Sequence, residues 1–155
     1  MSKIEKRLAE MGLRLPETPK ANGLYEVFHV EGNVLFTSGQ LSRGEHGVIG
    51  GCLAKDEPLD LAQEAARICV LRCLAVVKAA AGSLDLVEQC IKVNGFVAAH
   101  PDFTMHSKVL DAASELLLEI FGDRGRHVRT AVGVPSLPGG GLVELEMSVR
   151  LSEAT

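Results

Sequence analysis

The stretch from Asp60 to Ala81 contains neither glycine nor proline, and Leu61, Ala65, Ile68, Leu71 and Ala75 recur through it at helical spacing. Asp60 is placed to cap the start, and Gly82 marks the stop. At about 1.5 Å per residue, a helix of this length crosses a small sheet from edge to edge. Its apolar face needs a broad partner, so the rest of the chain must supply a sheet.

The strands are present. Tyr25–Val30 and Asn33–Ser38 are rich in β-formers and flank Glu31-Gly32, which predicts a hairpin. Leu86–Ala98 reads as a strand with a bulge near Asn94-Gly95. A second amphipathic helix runs from Thr104 or Ser107 to Phe121 and stops at Gly122. Arg129–Val134 and Val143–Glu146 then read as two strands joined by a turn through Pro135, Pro138 and Gly139-Gly140-Gly141. Glycines from Gly39 to Gly51 mark loops that leave room for a short strand near Val48 or Leu53. Ahead of all this, Ser2–Met11 reads as a short surface helix, ended at Gly12 and followed by Pro16, Pro19 and Asn22-Gly23. The order β-β, α, β, α, β-β predicts an α+β or mixed sandwich in which both long helices lie on one shared sheet.

With 155 residues, the expectation is a single domain over 1–155 with a helical extension over 1–22. Apolar residues at 46% and charged residues at 23% exclude a disordered chain. A net charge of -4 with 4% aromatics argues against nucleic acid as a partner. Arg72 and Lys78 interrupt the longest apolar stretch, so no membrane span is expected. The first residues lack the apolar segment of a secretory signal, which predicts a cytoplasmic protein. Cys52, Cys69, Cys73 and Cys90 show no metal-binding or disulfide-framework spacing, so free thiols and no metal site are expected. Neither a nucleophile elbow nor a phosphate-cradling loop occurs.

Charge set in apolar strands is the remaining signal. Arg129 can grip a carboxylate through two parallel hydrogen bonds, or it can form a structural salt bridge to Glu144 or Glu146 across a hairpin. Glu144 and Glu146 share a strand face, and periodicity leaves open which of them is wet. Thr37-Ser38-Gly39-Gln40 ends a strand in small polar residues whose backbone N–H groups can bind an anion or simply turn the chain. His127, two residues before Arg129, points to the same face.

Thr37-Ser38-Gly39-Gln40, Lys92-Val93-Asn94-Gly95-Phe96-Val97, Arg129 and Val143-Glu144-Leu145-Glu146 together resemble the RidA family, the reactive-intermediate deaminases also called YjgF-like or L-PSP-like proteins. The resemblance runs from about Tyr25 to Leu151. It implies a chorismate-mutase-like α+β fold, a homotrimer whose sheets form a central barrel, and ligand clefts between subunits. It also implies cofactor-free hydrolysis of enamines and imines such as 2-aminoacrylate to 2-keto acids and ammonia. By the same resemblance Arg129 would hold the substrate carboxylate with the Gly39 N–H, and Glu144 would activate water beside the Ala131 carbonyl. Ser38 and Tyr25 would line the cleft. A non-catalytic carboxylate binder using that cleft is the alternative, and the family's older name brings a ribonuclease reading that the acidic charge opposes. Ala131 where the family has cysteine, Pro101-Asp102-Phe103 where it has Asn-Asp-Phe, the N-terminal helix and the Gly139–Gly141 insertion mark a divergent branch.

Overall fold

In a computed structural model, which describes residues 1–153, the two long helices form where the spacing places them: α2 over Asp60–Ala81 and α3 over His106–Phe121. Gly82 closes α2 in the left-handed conformation at φ 85°, a position that glycine takes without a Cβ penalty. Asp60 is not the cap. Leu59 occupies that position, and its apolar side chain makes no capping hydrogen bond. The short helix α1 spans Lys3–Glu10. The strands are β1 (Phe28–Glu31), β2 (Val34–Thr37), β3 (Gln40–Leu41), β4 (Arg43–Gly44), β5 (Gly47–Val48), β6 (Val87–Ala98), β7 (Val128–Val134) and β8 (Val143–Leu151).

The main sheet runs β1-β2-β8-β6-β7, with β3 also paired to β8. As expected, β1 and β2 form an antiparallel hairpin with Phe28 opposite Thr37. The last two strands do not. β8 pairs antiparallel to β6 on one side and β7 pairs parallel to it on the other, so β6 separates them and no hairpin joins them. The bulge expected at Asn94-Gly95 is also elsewhere, with register shifts at Val87/Gln89 and Cys90/Lys92. At Gly95 the register is regular, and the glycine serves closeness: a Cβ there would drive into the buried side chain of Leu110 on α3.

Both helices pack on one face of the sheet, as the two amphipathic patterns require. Alternate residues of β8, namely Val143, Leu145, Met147 and Val149, enter the core with Leu74, Val77, Leu110, Leu117 and Ile120. The intervening residues Glu144, Glu146 and Ser148 take the opposite face, which no helix covers, beside Asn94, Phe96, Thr130 and Val132. Cys69 and Cys73 point from α2 into the core and donate to the carbonyls of Val143 and Leu145, each at 3.4 Å. All four cysteines are free thiols, and only Cys52 is exposed. Burial pushes the thiols of Cys73 and Cys90 up to about 12, so neither is a nucleophile at neutral pH.

The N-terminal helix is docked, not loose. Ser2 and Glu5 form a reciprocal capping box, and Ile4 and Leu8 are buried in the same cluster as the long helices. The Asp85 carboxylate, in the turn between α2 and β6, accepts from the backbone N–H groups of Lys3 and Ile4 at 2.9 Å each. Those two bonds hold its pKa below the ordinary value, and Lys78 forms an ion pair with Glu5 alongside. Asp85→Ala should therefore cost about 1 kcal/mol in chemical denaturation. A folded pKa held low means the increment is present at neutral pH and fades as pH falls below about 4. A loss that is the same at pH 3 and pH 7 would contradict this role.

Candidate functional site

Two groups of polar side chains stand out, one on each face of the sheet. The first gathers where β2 turns into β3 alongside β8. Glu144 lies opposite Leu41 of β3 and Phe96 of β6, on the open face. Its carboxyl rests against Gly39, where any Cβ would collide with Oε1. Half-burial pushes its pKa up, and the neighbouring Glu146 carboxylate adds to that. Glu144 enters no ion pair among the described residues. Glu146 is engaged instead, accepting from Asn94 Nδ2 at 3.0 Å, so of the two glutamates it is Glu144 that keeps a raised, unpaired carboxyl.

Around this carboxyl, Ser38 Oγ accepts from Gln40 Nε2 at 3.4 Å and Ser38 N donates to the Val27 carbonyl at 2.8 Å. The latter bond brings the segment carrying Tyr25 to the strand end carrying Ser38 and Gly39. Tyr25 itself is half exposed, outside the sheet, and its hydroxyl accepts from Asn22 N at 3.2 Å. Thr37, next in the motif, is structural: its Oγ1 accepts from Met147 N at 3.1 Å.

The second group lies on edge strand β7 and faces α3. Arg129 Nη2 bonds Asp111 Oδ1 at 3.1 Å and Ser107 Oγ at 2.8 Å, while Nη1 bonds Ser114 Oγ at 2.9 Å. His127 shares that serine, with Nε2 at 2.9 Å from Ser114 Oγ and Nδ1 at 2.7 Å from the Gly125 carbonyl. A carbonyl can only accept, so in the neutral ring Nδ1 carries the proton and Nε2 accepts from the serine hydroxyl. His127 and Arg129 share a face, as the two-residue period predicts. Ala131 is on that same face, half-buried opposite Gly95. The salt bridge to Glu144 or Glu146 is not formed, because those side chains are on the other side of the sheet. Arg129 pairs with Asp111 instead.

The partners on α3 went unread in the sequence, although a signal was there. Ser107, Asp111 and Ser114 recur at i, i+4 and i+7, which is a polar stripe along one helix face. Within one chain the two groups stay apart: Glu144 and Arg129 are two strand spacings apart across the sheet and three residues apart along it, about 10 Å in each direction, and on opposite faces. A pocket holding both side chains is not formed within a single chain. Among the described residues no group of three or more His, Cys, Asp or Glu is placed to hold a metal ion, and no helix is long and apolar enough to cross a membrane.

A mixed sheet with both helices on one face, and a half-buried carboxyl on the other beside a small-residue strand end, defines a small α+β domain of the chorismate-mutase-like type. The chain belongs to the family whose model is described as "YjgF/chorismate_mutase-like, putative endoribonuclease", which matches residues 5–150. Protein TCP17 of Trypanosoma cruzi is 37% identical over 155 residues, covering 97% of this chain and 95% of that protein. The crystal structure of Atu1372 from Agrobacterium tumefaciens, described as of unknown function, superposes with a TM-score of 0.87 at 40% identity, over 96% of this chain and 93% of that one. E. coli TdcF with bound serine superposes with a TM-score of 0.63 at 25% identity, over 88% and 94%.

Proposed function

We propose that this protein hydrolyses small enamines and imines of the 2-aminoacrylate type to 2-keto acids and ammonia, in clefts closed between copies of a homotrimer. The observation that carries the reading is Glu144, a carboxyl with no ion pair among the described residues and a raised pKa, held on an uncovered sheet face against Gly39, where a side chain would displace it. An imine carbon is already electrophilic, so the reaction asks only for an oriented substrate, a positioned water and a proton carrier. Water adds to the C=N carbon while Glu144 takes its proton. That proton passes to nitrogen, the proton of the added hydroxyl follows it by way of the same carboxylate, and the C–N bond breaks so that ammonia leaves as the carbonyl forms. An enamine enters the sequence after taking a proton on its terminal carbon and losing one from nitrogen. The reaction as written needs no cofactor.

Arg129 anchors the substrate carboxylate with the Gly39 N–H, the Ala131 carbonyl orients the water, and Ser38 and Tyr25 wall the cleft. One chain cannot bring Arg129 and Glu144 to one substrate, so the cleft is assembled by the β7 edge of one copy against the β2–β3 turn and β8 of the next. The open face, with exposed Phe36 and Val132, is suited to being covered in this way. The serine bound to TdcF supports a small carboxylate ligand on this fold. The free thiols accord with a reducing cytoplasm. Ammonia release from 2-iminopropionate, generated in place by an amino-acid oxidase, should exceed the spontaneous rate with the native protein and fall back to it with Arg129→Ala. A native protein that leaves the spontaneous rate unchanged would contradict the reading.

The serine bound to TdcF fits equally a second reading, a carboxylate binder without turnover in the same cleft, and in both readings Arg129 exchanges its own Asp111 for the ligand. The two readings part at Asp111→Asn. If Arg129 receives the substrate, Asp111 competes with it. Removing that charge should then lower KM several-fold with kcat nearly unchanged, as expected when binding common to ground and transition states is strengthened. Tighter pyruvate binding in calorimetry, with no ammonia release from any variant, would leave only the binder.

A further inference from the structure

On the helix side of the molecule, away from Glu144 and Arg129, a cleft of about 560 Å³ opens between three segments: the link after α1, the β4–β5 hairpin and the middle of α2. That volume is within the usual range for a small-molecule site. Each segment contributes an arginine, Arg14, Arg43 and Arg72 respectively, and Ile68 and Leu71 add apolar surface. None of the three guanidinium groups forms an ion pair among the described residues. Glu17 and Glu45 line the same cleft, yet neither is paired to them.

Arg72 is the telling member. It projects from the helix face next to the buried Cys69 and Cys73, and its Nε is fully buried with no hydrogen-bond partner among the described residues. A buried guanidinium N–H without an acceptor is costly, and like charges converging on one cleft add to the cost. Burial and the charge of Arg43 both push the Arg72 pKa down, which shows the same stress from a second side. A solvated surface arginine would show neither. An anion set among the three groups offsets the convergence of like charge directly, and drawing the Arg72 side chain toward it brings the buried Nε–H within reach of an acceptor. Arginine's planar fork suits phosphate and carboxylate alike.

We propose that this cleft is a second binding site, distinct from the sheet-face site, for a small dianion, a phosphate monoester or a dicarboxylate, that carries an apolar group to rest on Ile68 and Leu71. The site stands whether or not the deaminase reading holds. Phenyl phosphate, phenylsuccinate and inorganic phosphate, titrated by calorimetry into the full chain at low salt, test it. At least one of the first two should bind about tenfold or more tightly than inorganic phosphate, and the tighter of them identifies the anionic group. Raising the salt should weaken binding. Arg72→Gln, which retains a side-chain donor, should weaken it by about tenfold or more, the range expected for one charged hydrogen bond. The exposed Arg43→Gln should act in the same direction and does not risk the core, so it keeps the test valid if Arg72→Gln folds poorly. Failure of all three probes to bind at 10 mM, or affinities unmoved by both substitutions, would overturn the proposal. So would saturation of the cleft by an acidic segment of another copy, seen as oligomerisation that Arg43→Gln abolishes.

Discussion

Glu144→Gln should lower the rate of ammonia release from 2-iminopropionate by about 10²–10⁴-fold, the range for losing a positioned proton carrier, while the protein remains folded. Glutamine keeps the shape beside Gly39 and Phe96 but cannot take a proton. The sign of the stability change separates this from unfolding. Half-burial and Glu146 raise the folded pKa of Glu144, so the native state holds that proton more tightly than the unfolded chain does. This contribution to stability is present at low pH and is lost as pH rises through the raised value. A neutral glutamine escapes that loss, and the variant should be at least as stable as the native protein at pH 7. With the native protein the pH–rate profile of ammonia release should rise through an inflection above the ordinary carboxyl value of 4.5, and Glu144→Gln should erase it. An unchanged profile would assign the base elsewhere.

Gly125→Ala should be among the most destabilising single-methyl additions in the chain. A Cβ at this position would collide with the backbone carbonyl of Leu117 and approach the backbone nitrogen of Leu118 in α3. Backbone atoms cannot swing aside as a side chain can, so the last turn of α3 would have to shift. Overpacking of this kind costs about 3 kcal/mol, or roughly 6–12 °C in Tm for a chain of this size. The shift would also disturb the site, because the Gly125 carbonyl holds His127 Nδ1 and thereby fixes Ser114 under Arg129. Gly12→Ala is the control. Gly12 has φ 71° with nothing within 4 Å of a new Cβ, so it incurs only the left-handed backbone penalty of about 1–2 kcal/mol. Equal Tm losses from the two substitutions would show that the close approach at Gly125 is not tight.

What could be read from the sequence was local. α2 was legible because periodicity, the absence of glycine and proline, and the left-handed stop at Gly82 all act within a few residues. The β1–β2 hairpin was legible for the same reason, since its turn and its β-formers are adjacent. The pairing of β7 and β8 was not. Closeness in sequence pointed to a hairpin, but the α3 crossover lays β7 parallel to β6, and β8 fills the other side of β6. Local patterns carry no information on which strand is inserted between two others. That insertion also sends Arg129 toward α3 instead of toward Glu144, so the mutual placement of the two candidate residues was not legible. The Arg129 partner could have been found only by testing the helix for a polar stripe at Ser107, Asp111 and Ser114.

Complementation between two inactive variants tests the shared cleft most directly. Glu144→Gln and Arg129→Ala should each be inactive alone. If each cleft takes its glutamate from one copy and its arginine from the next, random mixing in a closed ring restores both groups in about a quarter of the clefts. Ammonia release should then recover to about that fraction of the native rate once the variants are unfolded together and reassembled. Mixed oligomers confirmed by mass spectrometry that stay as inactive as their parents would contradict a site built by two copies from Glu144 and Arg129.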